Sequence, residues 1–145
     1  MEKNDILYDM ERFICYVENN YGEFFEITLD QEEYKTLSYF YKQIDFTLSK
    51  YSTELRKYPI SNKKWYDFIQ ALYEIRLVEW NNEYDGEEKY INNNSSWSIV
   101  IGSTVGRTIA KCGEGVYHPS WQQFIRALEN LIDKSIEMEM VNHLN

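Results

Sequence analysis

The chain is poor in the residues from which catalytic and metal sites are most often assembled: of 145 residues, two are histidine and two are cysteine. His118 and His143 are too few for a histidine-based metal centre or triad, and His143 stands close to the C-terminus. Cys15 and Cys112 lack metal-ligand spacing and secretory context, so two reduced thiols are expected rather than a bridge. Long apolar runs are missing as well. None approaches the ~20 residues that cross a bilayer, and the opening Met-Glu-Lys-Asn-Asp has neither the basic nor the apolar part of a signal peptide. The expectation is a cytoplasmic protein. Positive charge is the last shortage: fifteen Lys and Arg against twenty-four Asp and Glu leave a net charge of −9. That argues against an unaided nucleic-acid binder, whose phosphates would be repelled, and favours a basic partner.

What the chain does have is aromatic mass. Thirteen tyrosines, seven phenylalanines and four tryptophans exclude a disordered polymer. The length suits a single domain over residues 1–145, able to bury roughly 68–70% of its unfolded surface in one core. The acids are unevenly placed. Residues 1–33 carry ten acids and two bases, residues 34–64 two acids and seven bases, and residues 65–90 seven acids and two bases.

Apolar spacing from Asp5 to Tyr16 fits a short helix. Phe13–Val17 and Phe24–Leu29, however, flank the Asn- and Gly-containing turn around Asn19–Gly22, and a β-hairpin is favoured over residues 13–29. Asp30, with Glu33 three positions on, reads as a helix start, followed by Tyr34, Leu37, Tyr41 and Ile44 at helical spacing. Residues 46–55 fit either an alternating strand or a continuation of that helix, up to the stop at Pro59. Trp65, Phe68, Ile69, Leu72 and Ile75 form a clean helical stripe. Residues 77–84 are again open between helix and strand. Asp85-Gly86 marks a turn, and the asparagines at 92–94 an exposed loop.

Trp97, Ile99 and Ile101 alternate as a strand, and Arg107–Lys111 returns beside it after the turn at Gly102–Gly106. Ser120 and Gln123 then read as a capping box opening a last helix, with Trp121, Phe124, Ile125, Leu128, Leu131 and Ile132 on its apolar stripe. The tail from Glu137 is expected to fray. Together these elements predict an α+β domain, an antiparallel sheet of about four strands packed against three or four helices.

Chemistry is harder to find. Cys112 and His118 are close enough in sequence for a nucleophile and its base, but a strand-end residue and a loop residue are the simpler interpretation. Gly113-x-Gly115 lacks the rest of a phosphate loop and is explained by a turn of positive φ. The acids at 85–88 lack the EF-hand pattern. No catalytic residue, cofactor or metal is assigned. The four tryptophans are expected in the core, and Tyr21, Tyr39, Tyr58 and Tyr90 are the tyrosines expected at the surface.

The order Trp65-x-x-Phe68-Ile69-x-x-Leu72, Trp80-x-x-x-Tyr84, Asp85-Gly86, Trp97-Ser98-Ile99-x-Ile101 and Gly113-x-x-x-Tyr117-x-x-x-Trp121-x-x-Phe124 resembles small immunity proteins encoded beside bacterial polymorphic toxins. The similarity runs over about residues 65–132. It implies a cytoplasmic α+β protein that neutralises one toxin, often a basic nuclease, by tight binding. An acidic protector would steer such a cation electrostatically. The expected partner surface is the acidic, tyrosine-flanked set Glu32, Glu33, Glu83, Tyr84, Asp85, Glu87, Glu88 and Tyr90. Two alternatives stay open: an enzyme or ligand-binding protein using the Cys112–His118 loop, and an acidic mimic of nucleic acid.

Overall fold

The computed structural model describes residues 6–19, 21–30, 35–45, 47–85, 95–103, 106–133 and 136. Seven strands form one sheet: β1 (Met10–Glu18), β2 (Phe24–Asp30), β3 (Thr36–Asp45), β4 (Lys50–Pro59), β5 (Glu83–Asp85), β6 (Ser96–Ser103) and β7 (Thr108–Glu114). Among the described residues two α-helices accompany them, α1 (Asn62–Glu74) and α2 (Trp121–Ile132). The spatial order is β4-β3-β2-β1-β6-β7-β5, antiparallel throughout except that β5 runs parallel to β7. This corrects the four-strand, three- or four-helix expectation.

The first correction is local to the N-terminus. Ile6 and Leu7 are buried, but residues 6–9 are turn and the backbone from Met10 is strand, so the short helix that the apolar spacing also fits does not form over these residues. The hairpin does form. Asn19 holds its turn, its Oδ1 accepting the Tyr21 and Glu23 N–H groups while its Nδ2 donates to Glu23 Oε1 at 2.9 Å. Gly22 takes the left-handed φ of 87° that the turn requires.

The largest correction is β3. Leu37 and Tyr41 are four apart, a spacing that fits one helix face and also one strand face, because four is a multiple of both periods within tolerance. The residue that decides is Tyr39, which is fully buried between them although it was expected at the surface. Leu37, Tyr39 and Tyr41 face the core together, Ile44 falls on the opposite face, and aromatic side chains suit the pleat. β4 follows as a strand paired with β3 over ten residues, which settles residues 46–55 in favour of strand from Lys50 onward. The proposed helix start at Asp30–Glu33 falls mostly outside the described residues.

α1 forms over the expected stripe, with Ser61 Oγ accepting the Lys64 N–H at its start. Arg76, at φ 56°, ends it in the left-handed region; a 3₁₀ turn at Leu77–Glu79 leads to the short β5. Residues 77–84 are thus neither a continued helix nor a full strand. α2 also forms where expected. Its start differs: the Ser120 side chain makes no cap bond, and the Ser120 N–H donates to His118 Nδ1 at 2.9 Å.

Alternation along the strands sorts the sheet into two faces. Phe13, Cys15 and Val17 of β1, Phe25, Ile27 and Leu29 of β2, and Trp97, Ile99 and Ile101 of β6 lie on one face, under α1 and α2. Phe13 meets Phe68 of α1 edge-on, and Trp97 meets Trp121 of α2. All four tryptophans are buried in this layer, as expected. No helix among the described residues is long and apolar enough to cross a membrane.

Candidate functional site

The other face of the sheet has no layer over it among the described residues, and its side chains are half-buried or exposed rather than buried. Register places Tyr16 of β1 beside Glu26 of β2, Glu26 beside Phe40 of β3, and Phe40 beside Leu55 of β4. One row along, Glu18 pairs with Phe24, and Phe24 with Lys42. The rings join diagonally. Tyr16 stacks on Phe24 with centroids 5.4 Å apart, and Phe24 meets Phe40 at 5.7 Å. Leu55 extends the strip to the sheet edge, where it is 55% exposed. Valine, isoleucine and alanine at Val100, Ile14 and Ala110 continue the apolar surface across β6, β1 and β7.

Carboxylates are set into this strip. The Tyr16 hydroxyl donates to Glu18 Oε1 at 3.0 Å. Desolvation, with help from Glu18 and Glu26, raises the Tyr16 hydroxyl to about 12, so Tyr16 stays a neutral donor. Among the described residues no hydrogen bond or ion pair reaches the Glu26 carboxylate. Three cations share the face: Arg12, beside Gly102; Lys57, on β4; and Lys42, whose Nζ lies 4.1 Å from the Tyr51 ring centroid.

The partner surface expected from sequence is only partly placed. Glu83 is exposed on β5, and Asp85 ends that strand. Tyr84 is turned inward: its ring lies 5.8 Å from Trp97, and its hydroxyl accepts the Asn81 N–H at 3.0 Å. An anchored ring of this kind fills the fold instead of reaching a partner. Glu32, Glu33, Glu87, Glu88 and Tyr90 lie outside the described residues. The open-face aromatics were missed for a simple reason: Tyr16, Phe24 and Phe40 sit among alternating apolar residues, and only the register shows which alternate set the helices leave bare.

The region from Trp97 to Trp121 is a closely fitted junction. Trp97 Nε1 donates to Val116 O at 2.8 Å, and the Tyr117 hydroxyl donates to Ser95 Oγ at 2.8 Å. Gly113 leaves room for this: a Cβ there would collide with Trp97 Nε1 and the Val116 carbonyl. Gly115 takes a positive φ of 71°, so the turn explanation holds for Gly115 and close approach explains Gly113. His118 stacks on Trp80 with centroids 4.0 Å apart, and desolvation holds it below its ordinary pKa. Its neutral form keeps Nδ1 free to accept from Ser120.

Lys111 is the unexpected member of this layer. It is buried, and its Nζ donates to Val78 O, Trp80 O and Asn82 Oδ1 at 3.1, 2.6 and 3.0 Å. Desolvation lowers its pKa. The three acceptors tie the segment before β5 to β7, so Lys111 has a structural task.

Cys112 and His118 are not brought together. Alternation along β7 puts Lys111 and Gly113 on the covered face and Cys112, which is exposed, on the open one. His118 lies on the covered side against Trp80, so the sheet stands between thiol and imidazole. Cys15 is fully buried, and desolvation raises its thiol far above the range where a thiolate forms. Among the described residues no three His, Cys, Asp or Glu side chains gather as a metal site would need. No family model, curated protein or solved structure matches the chain.

Proposed function

We propose that this chain is a cytoplasmic immunity protein, which binds one basic toxin domain and neutralises it by covering it. The observation that carries the reading is the open face: a continuous strip of Tyr16, Phe24, Phe40 and Leu55 with carboxylates set among the rings, on a protein of net charge −9. Aromatic surface of this kind supplies contact area at low conformational cost, and acids around it steer a cationic partner and fix its register. The resemblance over residues 65–132 points the same way from different residues. Of those matched residues, Trp65, Phe68, Ile69, Leu72, Trp80, Trp97, Ile99, Ile101, Trp121 and Phe124 are buried and build the scaffold. The binding face is therefore formed largely by the N-terminal half, which the resemblance does not cover.

The partner is a basic protein domain, with a nuclease the class that best explains the need for an acidic protector. The test is genetic and biochemical. A toxin domain encoded beside this gene should arrest growth when expressed alone, should be tolerated when this chain is co-expressed, and should co-purify with it in a salt-sensitive complex. If the neighbouring gene specifies no toxin and the purified chain protects no cell, the reading is lost.

A further inference from the structure

Glu26 is placed in an unusual way for a surface carboxylate. Its cross-strand neighbours are aromatic on both sides, Tyr16 on β1 and Phe40 on β3, and Phe24 stands two residues away on its own strand and the same face. The Tyr16–Phe24 and Phe24–Phe40 contacts show that these rings form one connected wall. The nearest cation by register, Lys42, extends over Tyr51 on the β4 side. Glu26 therefore offers a negative charge flanked by three aromatic residues, half-buried and without a cation of its own among the described residues.

From this geometry we infer that the Glu26 notch receives an arginine side chain of the basic partner. The inference rests on the reading of the chain as a binder of a basic protein, and names the chemistry at the centre of that interface. A guanidinium matches both parts of the notch: its plane stacks on an aromatic ring, and its paired N–H donors engage a carboxylate side by side. A lysine ammonium matches only the charge, because it is strongly hydrated and has no plane to stack. Glu18 is already engaged by the Tyr16 hydroxyl, which holds the Tyr16 ring at the edge of the notch. A second copy of the chain is the weaker occupant, since it brings the same carboxylates and a further net charge of −9.

Titration calorimetry of the full chain at low salt with hexa-arginine and hexa-lysine peptides tests this. Hexa-arginine should bind about tenfold more tightly than hexa-lysine, the scale of one desolvated cation–π contact with its charge-assisted hydrogen bonds. Glu26→Gln and Phe40→Leu should each remove most of that preference, with the fold checked by circular dichroism. Glu74→Gln, which removes the same charge from exposed α1, should weaken both peptides equally and keep their ratio. Equal affinity for the two peptides, no binding of either, or a Glu26→Gln effect no larger than that of Glu74→Gln overturns the inference. So does a concentration-dependent dimer that hides the face. The two proposals fail separately. A Glu26→Gln chain that still protects cells from the toxin removes the notch and leaves the immunity reading, whereas an arginine preference without any neutralised toxin does the reverse.

Discussion

The two faces of the sheet are built from the same strands by the same alternation, yet they have different physical roles. On the covered face Phe13, Val17, Phe25, Trp97 and Ile101 are wholly or almost wholly removed from water by the helices. On the open face Tyr16, Phe24 and Phe40 stand one residue out of step and keep part of their surface wet. An antiparallel sheet needs only one buried face to be stable, and its solvated face is ordinarily polar. Rings retained on the solvated face pair with one another across the strands, and in the proposed function they also supply the contact area for the partner.

Mutations that separate the faces should differ first in stability. Phe13→Ala, which opens a cavity against Phe68, is expected to cost about 3–5 kcal/mol in chemical denaturation. Phe40→Ala should cost well under half as much, and an equal loss would erase the distinction between the faces. Lys111→Ala is next: three acceptors lose their ammonium, for about 2–3 kcal/mol, with the lead-in to β5 released to amide exchange before the rest of the sheet. Gly113→Ala should cost roughly 1–3 kcal/mol by displacing the Trp97 ring, visible as a change in tryptophan fluorescence.

Smaller and pH-dependent effects come from His118. Its pKa in the folded protein lies below the ordinary 6.5, so the unfolded chain binds the proton more readily. The stability tied to neutral His118 is complete above that value and is lost as pH falls through the lower folded pKa. His118→Asn should flatten this acid limb of the stability–pH profile. The smallest effect is expected at the notch, where Glu26→Gln should change stability by no more than about 0.5 kcal/mol. A large loss there would make Glu26 part of the fold.

Legibility in the sequence followed how many neighbours an element needs. α1 and α2 were readable because each carries a full apolar stripe at helical spacing, and the β1–β2 and β6–β7 hairpins because their turns are local. β3 was misread because Leu37 and Tyr41 fit a helical spacing as well as a strand face while Tyr39 was expected at the surface; Tyr39 is as buried as Leu37. β5 is only three residues long and owes its place to pairing with β7, a contact no local pattern encodes. The acidic clusters drew attention to Glu83–Asp85, whereas the aromatic strip is distributed over β1, β2, β3 and β4 and exists only once register is known. Cys112 and His118, six positions apart in sequence, were separated by one step of strand alternation followed by a turn.

That same alternation supplies a built-in handle. Cys112 stands exposed on the open face while Cys15 is sealed in the core, so a thiol-reactive dye should attach at one position of the unmodified chain. It would sit one strand beyond Ser98, which is itself beside Tyr16, close enough for its emission to respond when something settles on the rings. The molecule thus carries its own reporter with which the proposed capture can be watched.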